Sequence, residues 1–245
     1  MNRRRAGWAM LPLAAVLLVA CGGGGGGSAP GPVPPGSLVA PGTWTVIGSS
    51  TAAGVGASAG HGWVDLLRSD YAGRGVSVVN LAASGSVSYQ GLPGGSPPPP
   101  GRPPPDPAHN IDAALSQGPK LVIASYPSND TAAGYSAEET VGNLLTIRAS
   151  AADRGVPSVV TSTQPSRPVP TAAHAATVAQ IDGRLAAEFG PCFVEIRSVL
   201  ATPQNTLDPR YDSGDGQHLN DAGHLVVFQR VKAVLDGRQC VRVTP

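Results

Sequence analysis

Along the 245-residue chain, short apolar runs alternate with segments whose apolar residues recur at helical spacing. The runs are TWTVIG (43–48), VSVVNLA (76–82), LVIASY (121–126), PSVVTSTQP (157–165) and CFVEI (192–196). They are brief and rich in β-branched residues, which suits strands covered on both faces. Between them Val141, Leu144 and Leu145 fall on one helical stripe, as do Val178, Ile181, Leu185 and Phe189. Leu225, Phe228, Val231 and Leu235 mark a last helix, with Asn220 placed as its N-cap. Five strands alternating with helices predict an α/β fold: a five-stranded parallel sheet with helices on both faces. In such a sheet the ligand site lies beyond the carboxyl ends of the strands.

Two stretches fall outside this alternation. At the N-terminus MNRRR precedes an apolar run from Gly7 to Ala20. A spanning helix needs about 20 apolar residues, so this run is short for one. Its basic front and small-residue end fit a secretory signal. It ends LLVAC before GGGGGGS. That junction resembles the lipobox of bacterial lipoproteins, which implies cleavage before Cys21 and a lipid on Cys21. Ordinary secretion with a chance cysteine is the alternative. The expected organisation is a signal peptide over 1–20, a lipidated Cys21 with a Gly/Pro-rich tether over 21–42, and one globular domain over 43–245. The implied location is exported and lipid-anchored, on the periplasmic side or at the outer membrane. The second stretch is GLPGGSPPPPGRPPPDPAHN (91–110). Its backbone offers few donors to a helix or a sheet, so it reads as a stiff surface loop. It walls one side of a cleft or is a functionless insertion.

Charge excludes one class of partner. Of 17 basic residues, Arg3, Arg4 and Arg5 leave with the signal, so 14 face 16 acidic ones. A nucleic-acid binder shows a basic footprint, and the mature chain has none. There are three cysteines. With Cys21 set aside as a lipid site, an oxidising compartment lets Cys192 and Cys240 pair as a disulfide. Two reduced core cysteines are the alternative.

The candidate chemistry sits where strands end. Gly48-Ser49-Ser50 leaves the first run, Gly85 follows the second, and Asn129 in YPSND follows the third. DGQHLND, just before the last helix, carries Asp215 and His218 three residues apart. One turn presents such an aspartate to the imidazole and fixes its tautomer, freeing the other nitrogen as a base. These blocks, in this order over about residues 43–238, resemble the SGNH (GDSL-type) hydrolases. The resemblance implies a three-layer, flavodoxin-like α/β/α sandwich. By motif position it makes Ser50 the nucleophile, His218 the general base and Asp215 its orienter. The N–H groups of Ser50 and Gly85 and the Asn129 amide would form the oxyanion hole. A serine hydroxyl is a weak nucleophile until a base takes its proton, and each well-placed oxyanion donor contributes about 3–4 kcal/mol to the transition state.

Two departures stand out: Ser49 replaces the family's aspartate, and Pro127 replaces the glycine of Gly-x-Asn-Asp. Ser49 itself is the alternative nucleophile, and Asn129 or Asp130 could instead cap a helix. No cofactor or metal is expected. His218 and His224 are six residues apart, which is not the spacing of a zinc-binding helix. The expected function is a serine esterase acting on short-chain acyl esters, such as acetylated glycans or lipid esters, through an acyl-serine intermediate. The alternative is a catalytically weak or inactive surface lipoprotein that binds acylated glycans. The partners expected are thus a small acyl ester or acylated glycan, and the membrane through Cys21.

Overall fold

In the computed structural model, which describes residues 35–167 and 170–243, all five apolar runs are strands. After a short β1 (Ser37–Val39) come β2 (Gly42–Gly48), β3 (Val76–Asn80), β4 (Leu121–Ser125), β5 (Ser158–Thr161) and β6 (Phe193–Val194), with β7 (Val241–Val243) last. The helices are α1 (Ser50–Ala53), α2 (Trp63–Ala72), α3 (Ile111–Ser116), α4 (Pro127–Ala132), α5 (Ala137–Ala152), α6 (Ala172–Phe189), α7 (Arg197–Leu200) and α8 (Asp221–Asp236).

The central sheet is parallel throughout and ordered β3-β2-β4-β5-β6. Counting only these strands the order is 2-1-3-4-5, the flavodoxin-like winding. The chain leaves β2 towards β3 on one side and returns to β4 on the other. The crevice above β2 and β4 is therefore the switch point at which doubly wound sheets bind ligands. Gly48 pairs with Ser125 at that point. A Cβ on Gly48 would collide with the Ser125 carbonyl, so only glycine lets the two strand ends close up.

Alternation along the strands divides the core in two. Trp44, Val46, Leu121 and Ile123 face α2 and α8, packing with Trp63, Leu67, Val231 and Leu235. Ile47, Val122 and Ala124 face the other way, onto Val141, Leu144, Ile147, Ile181 and Leu185 of α5 and α6. The result is the expected three-layer sandwich. Asn220 caps α8 as anticipated, accepting from the Gly223 N–H at 3.0 Å. The buried stripe of α8 differs from the expected one: Val227, Val231 and Leu235 are covered, whereas Leu225 is exposed.

Two features extend the sequence reading. The segment assigned to the end of the tether is not free, because Ser37–Val39 pairs in parallel with Val241–Val243. The ordered fold thus reaches further towards the N-terminus than residue 43. Cys192 and Cys240 form a disulfide with a sequence separation of 48, joining the start of β6 to the start of β7. A loop of that length corresponds to about 4 kcal/mol of stabilisation in the chain-entropy account. The signal segment and Cys21 lie outside the described residues.

Proline-rich as it is, the 91–110 loop is firmly held. Arg102 pairs with Glu139 at 2.7 Å and lies 4.1 Å over the Tyr135 ring. The Asp106 N–H donates to Gln90 O, and His109 Nδ1 donates to Leu81 O at 2.8 Å.

Candidate active site

The residues singled out in the sequence converge on the carboxyl edge of the sheet. Ser50 opens α1 directly after β2 and is only 6% exposed. Ser49 precedes it as N-cap, without a side-chain capping bond, and its N–H donates to Ser125 O at 2.9 Å. Uncapped, the Ser50 N–H meets no protein acceptor among the described residues. The Gly85 N–H meets none either, and Gly85 holds a left-handed φ of +81° that favours glycine. Two backbone donors are therefore left for a ligand oxygen.

Asn129 lies inside α4, where its Nδ2 donates to Ser86 O at 2.9 Å. This bond orients the amide and ties α4 to the Gly85 turn. Neither Asn129 nor Asp130 caps the helix, because Tyr126 is the N-cap. Pro127 opens α4, a position where proline loses no helical bond and its fixed φ suits the first turn. The replacement of the family's glycine is thus compatible with the turn. Asp130 is fully buried and accepts from the Ser88 N–H at 2.8 Å and from the Ser88 hydroxyl. It clamps the turn after Gly85 to α4 from below. Burial raises its pKa to about 6.

The catalytic-type pair is well formed. His218 Nδ1 lies 2.6 Å from Asp215 Oδ2, and Asp215 Oδ1 accepts from the N–H groups of His218 and Gln217, each at 2.8 Å. Those bonds, the His218 N–H first, hold the Asp215 carboxyl far below the usual range. Asp215 is therefore an ionised acceptor, an arrangement that can hold the proton on Nδ1 and leave Nε2 free for a base's role. The loop carrying the pair is closed on itself. Ser213 N donates to His218 O, Asp212 accepts from Gly214 N and Gly216 N, and buried Asp212 pairs with Arg167.

Further residues join the nucleophile turn to the histidine loop. Gln164 accepts from Thr51 Oγ1 at 2.6 Å and donates to Gln217 O at 2.5 Å, so one side chain links the neighbour of Ser50 to the neighbour of His218. This bridge and the Thr161–Ser125 hydroxyl pair (2.9 Å) anchor the turn where the family has an aspartate and this chain has Ser49. Gly56, at φ +93°, passes so close to the histidine loop that a Cβ there would meet Leu219 O and lie 3.0 Å from the His218 Cβ. His224 is fully buried. It accepts from the Trp63 N–H at Nδ1 and donates from Nε2 to Val55 O. With both nitrogens engaged, it pins the loop after α1 and is not a partner of His218 in a metal pair. Among the described residues no cluster of three His, Cys, Asp or Glu side chains could hold a metal ion.

The roles of Thr51, Gly56, Gln164 and His224 escaped the sequence reading because their partners lie more than 50 positions away. Only the placement of Gly56 six residues after Ser50, in a loop of small residues, offered a hint.

The comparisons give the family and the fold. The model of the GDSL-like Lipase/Acylhydrolase family matches residues 46–226, from β2 into α8. Among solved structures, TesA superposes with a TM-score of 0.61 at 21% identity, over 80% of this chain and 99% of that one. The psychrotrophic esterase EstA from Pseudoalteromonas sp., inhibited by monoethylphosphonate, gives 0.56 at 16%, over 78% and 95% of the two chains. A member of the lipolytic protein G-D-S-L family from Veillonella parvula DSM 2008 gives 0.58 at 12%, over 79% and 97%. At these identities the structural likeness is one of fold. No curated protein matches the sequence. The family match runs from within β2 through β3, β4, β5 and β6 and takes in Ser50, Gly85, Asn129, Asp215 and His218, and the chain belongs to the GDSL-like lipase/acylhydrolase family of ester hydrolases.

Proposed function

We propose that the protein is an exported serine esterase, held to the bacterial membrane by a lipid on Cys21, that hydrolyses short acyl esters through an acyl-Ser50 intermediate. The observation that carries this reading is the 2.6 Å contact between His218 Nδ1 and Asp215 at the same sheet edge as Ser50. His218 takes the Ser50 proton as the hydroxyl attacks the acyl carbon. The developing oxyanion accepts from the Ser50 and Gly85 N–H groups and from Asn129. His218 then returns the proton to the departing alcohol, and water, activated in the same way, releases the acid.

Short acyl groups are supported by what the surface offers. The large hydrophobic residues exposed among the described ones are Leu38 and Leu225, and the cleft beside Asn129 has no Phe, Tyr or Trp in its lining. Acetylated glycans and short-chain lipid esters fit both that surface and the exported location.

The test is hydrolysis of a 4-nitrophenyl ester series from acetate to decanoate by the purified protein. The rate should peak at the short end and vanish in Ser50→Ala and in His218→Ala. No turnover of any ester would favour the glycan-binding alternative. The lipid anchor is tested separately: labelled fatty acid should enter the native chain in cells and be absent from Cys21→Ser.

A further inference from the structure

Beside Asn129 the surface opens into a cleft of about 240 Å³, lined among others by Gln164, Arg167, His174, Arg197 and Gln217. It adjoins the candidate site directly. Asn129 forms part of its wall, and Gln217 is the residue before His218. None of the side chains lining it is acidic. Two arginines face it, and they differ in one respect. Arg167 is neutralised by the buried Asp212. Arg197 has no carboxylate within ion-pair distance among the described residues.

Arg197 opens α7 and is half-buried. Its Nη1 donates to Thr163 Oγ1 and to Gln164 O, both at 3.2 Å. Nε and Nη2 donate to nothing among the described residues. The closest route to a counter-charge is indirect: Thr163 Oγ1 donates in turn to Asp182 at 2.7 Å, and burial leaves Asp182 with a pKa of about 6. Desolvation correspondingly lowers the pKa of Arg197. A charge partly withdrawn from water without a direct partner is costly. A guanidinium has a planar fork of donors that matches a carboxylate in bidentate fashion. Here Nη1 is spent on the protein, while Nε and Nη2 remain for a ligand in the acid-free cleft that Arg197 lines together with Asn129.

We propose that this cleft is a subsite for a carboxylate carried by the ester substrate, with Arg197 as its specificity-determining residue and His174 as an auxiliary donor. This deepens the proposed function and rests on it, because the subsite would act by placing the scissile ester of an anionic substrate over Ser50. The carboxylate belongs either to the acyl half, as in a monoester of a dicarboxylic acid, or to the alcohol half, as in an acetylated acidic sugar.

Two matched pairs of probes distinguish these sources. Mono-4-nitrophenyl glutarate against 4-nitrophenyl butanoate reads the acyl half. 4-Acetoxybenzoate against 4-methylphenyl acetate reads the alcohol half. In wild type, one pair should favour its anionic member in kcat/KM by about tenfold or more, the size of a net charge-assisted hydrogen bond. Arg197→Met should collapse that ratio towards one, and Arg197→Lys should restore part of it. No anionic preference in either pair, or a ratio unchanged in Arg197→Met, overturns the subsite. A purely structural role for Arg197 would lower both members of a pair alike and leave the ratio intact. Calorimetric titration of glutarate into Ser50→Ala reads the cleft without turnover. Binding that is lost in Ser50→Ala/Arg197→Met supports the subsite even if no ester is cleaved. Absence of binding, with no anionic preference, rejects it while leaving the esterase reading standing.

Discussion

At the scale of residues, the site depends on close approaches as much as on the groups that handle protons. Gly56 shows this most clearly. Its φ of +93° disfavours any L side chain, and a methyl group there would press on Leu219 O and on the Cβ of His218. Gly56→Ala should therefore displace the histidine loop. The expected loss is about 1–3 kcal/mol of stability from backbone strain, with a fall in kcat larger than any change in KM. Thermal unfolding and ester kinetics on the same preparation check this, and full activity would contradict it. The residues proposed to carry chemistry stood out in the sequence because each lies in a short local block: Ser50 two after Gly48, Asp215 three before His218, Asn129 in an Asn-Asp pair. Residues that only hold those blocks in place were not. Gln164 and His224 are ordinary until the fold brings Thr51, Gln217, Val55 and Trp63 to them. Arg197 gave no signal either, since its significance is a missing partner.

At the scale of elements, the central strands were readable because burial on both faces demands unbroken apolar runs, as in the fully buried β4. The outlying pair was not. SLV and VRV are three residues each, and their pairing requires the two ends of the domain to meet. The position of α8 was evident from Asn220 and its apolar spacing. Its buried side shifted from the expected one because Gly223 and His224 occupy the contact with the site loops. The site itself is assembled from loops after β2, β3, β4 and β5 together with the loop before α8, and Gln164 is the side chain that ties two of these to the β5 loop. Gln164→Ala removes both bonds while leaving Ser50, Asp215 and His218 intact. We expect kcat to fall by about tenfold, in line with a lost positioning contact of roughly 1.4 kcal/mol, with the unfolding midpoint little changed. An unchanged kcat would show that the two loops are held by other means.

At the scale of the molecule, buried ionisable groups set how stability responds to pH. Asp130 and Asp182 titrate near 6 in the folded chain, against an ordinary 3.8. Between those values the folded state keeps protons that the unfolded state has released, so their contribution declines as pH rises towards 6. His224 acts in the opposite sense. Burial lowers its pKa, so the unfolded chain takes up a proton first as pH falls, and the stability it confers is lost towards acid. Glu139, held at about 2 chiefly by Arg102, loses its contribution only as pH falls from its ordinary value of 4.5 towards 2. Two carboxyls outweigh one imidazole, so the melting temperature should be level or falling from pH 4 to 6. In Asp130→Asn/Asp182→Asn it should rise with pH instead. A wild-type melting temperature that climbs steadily from pH 4 to 7 would contradict this balance. The central claim, that the whole sandwich serves to activate Ser50, is tested most directly by intact mass after exposure to a fluorophosphonate, with wild type beside Ser50→Ala. The account predicts one adduct on wild type and none on the variant. No adduct on either protein, or an adduct on both, would contradict it.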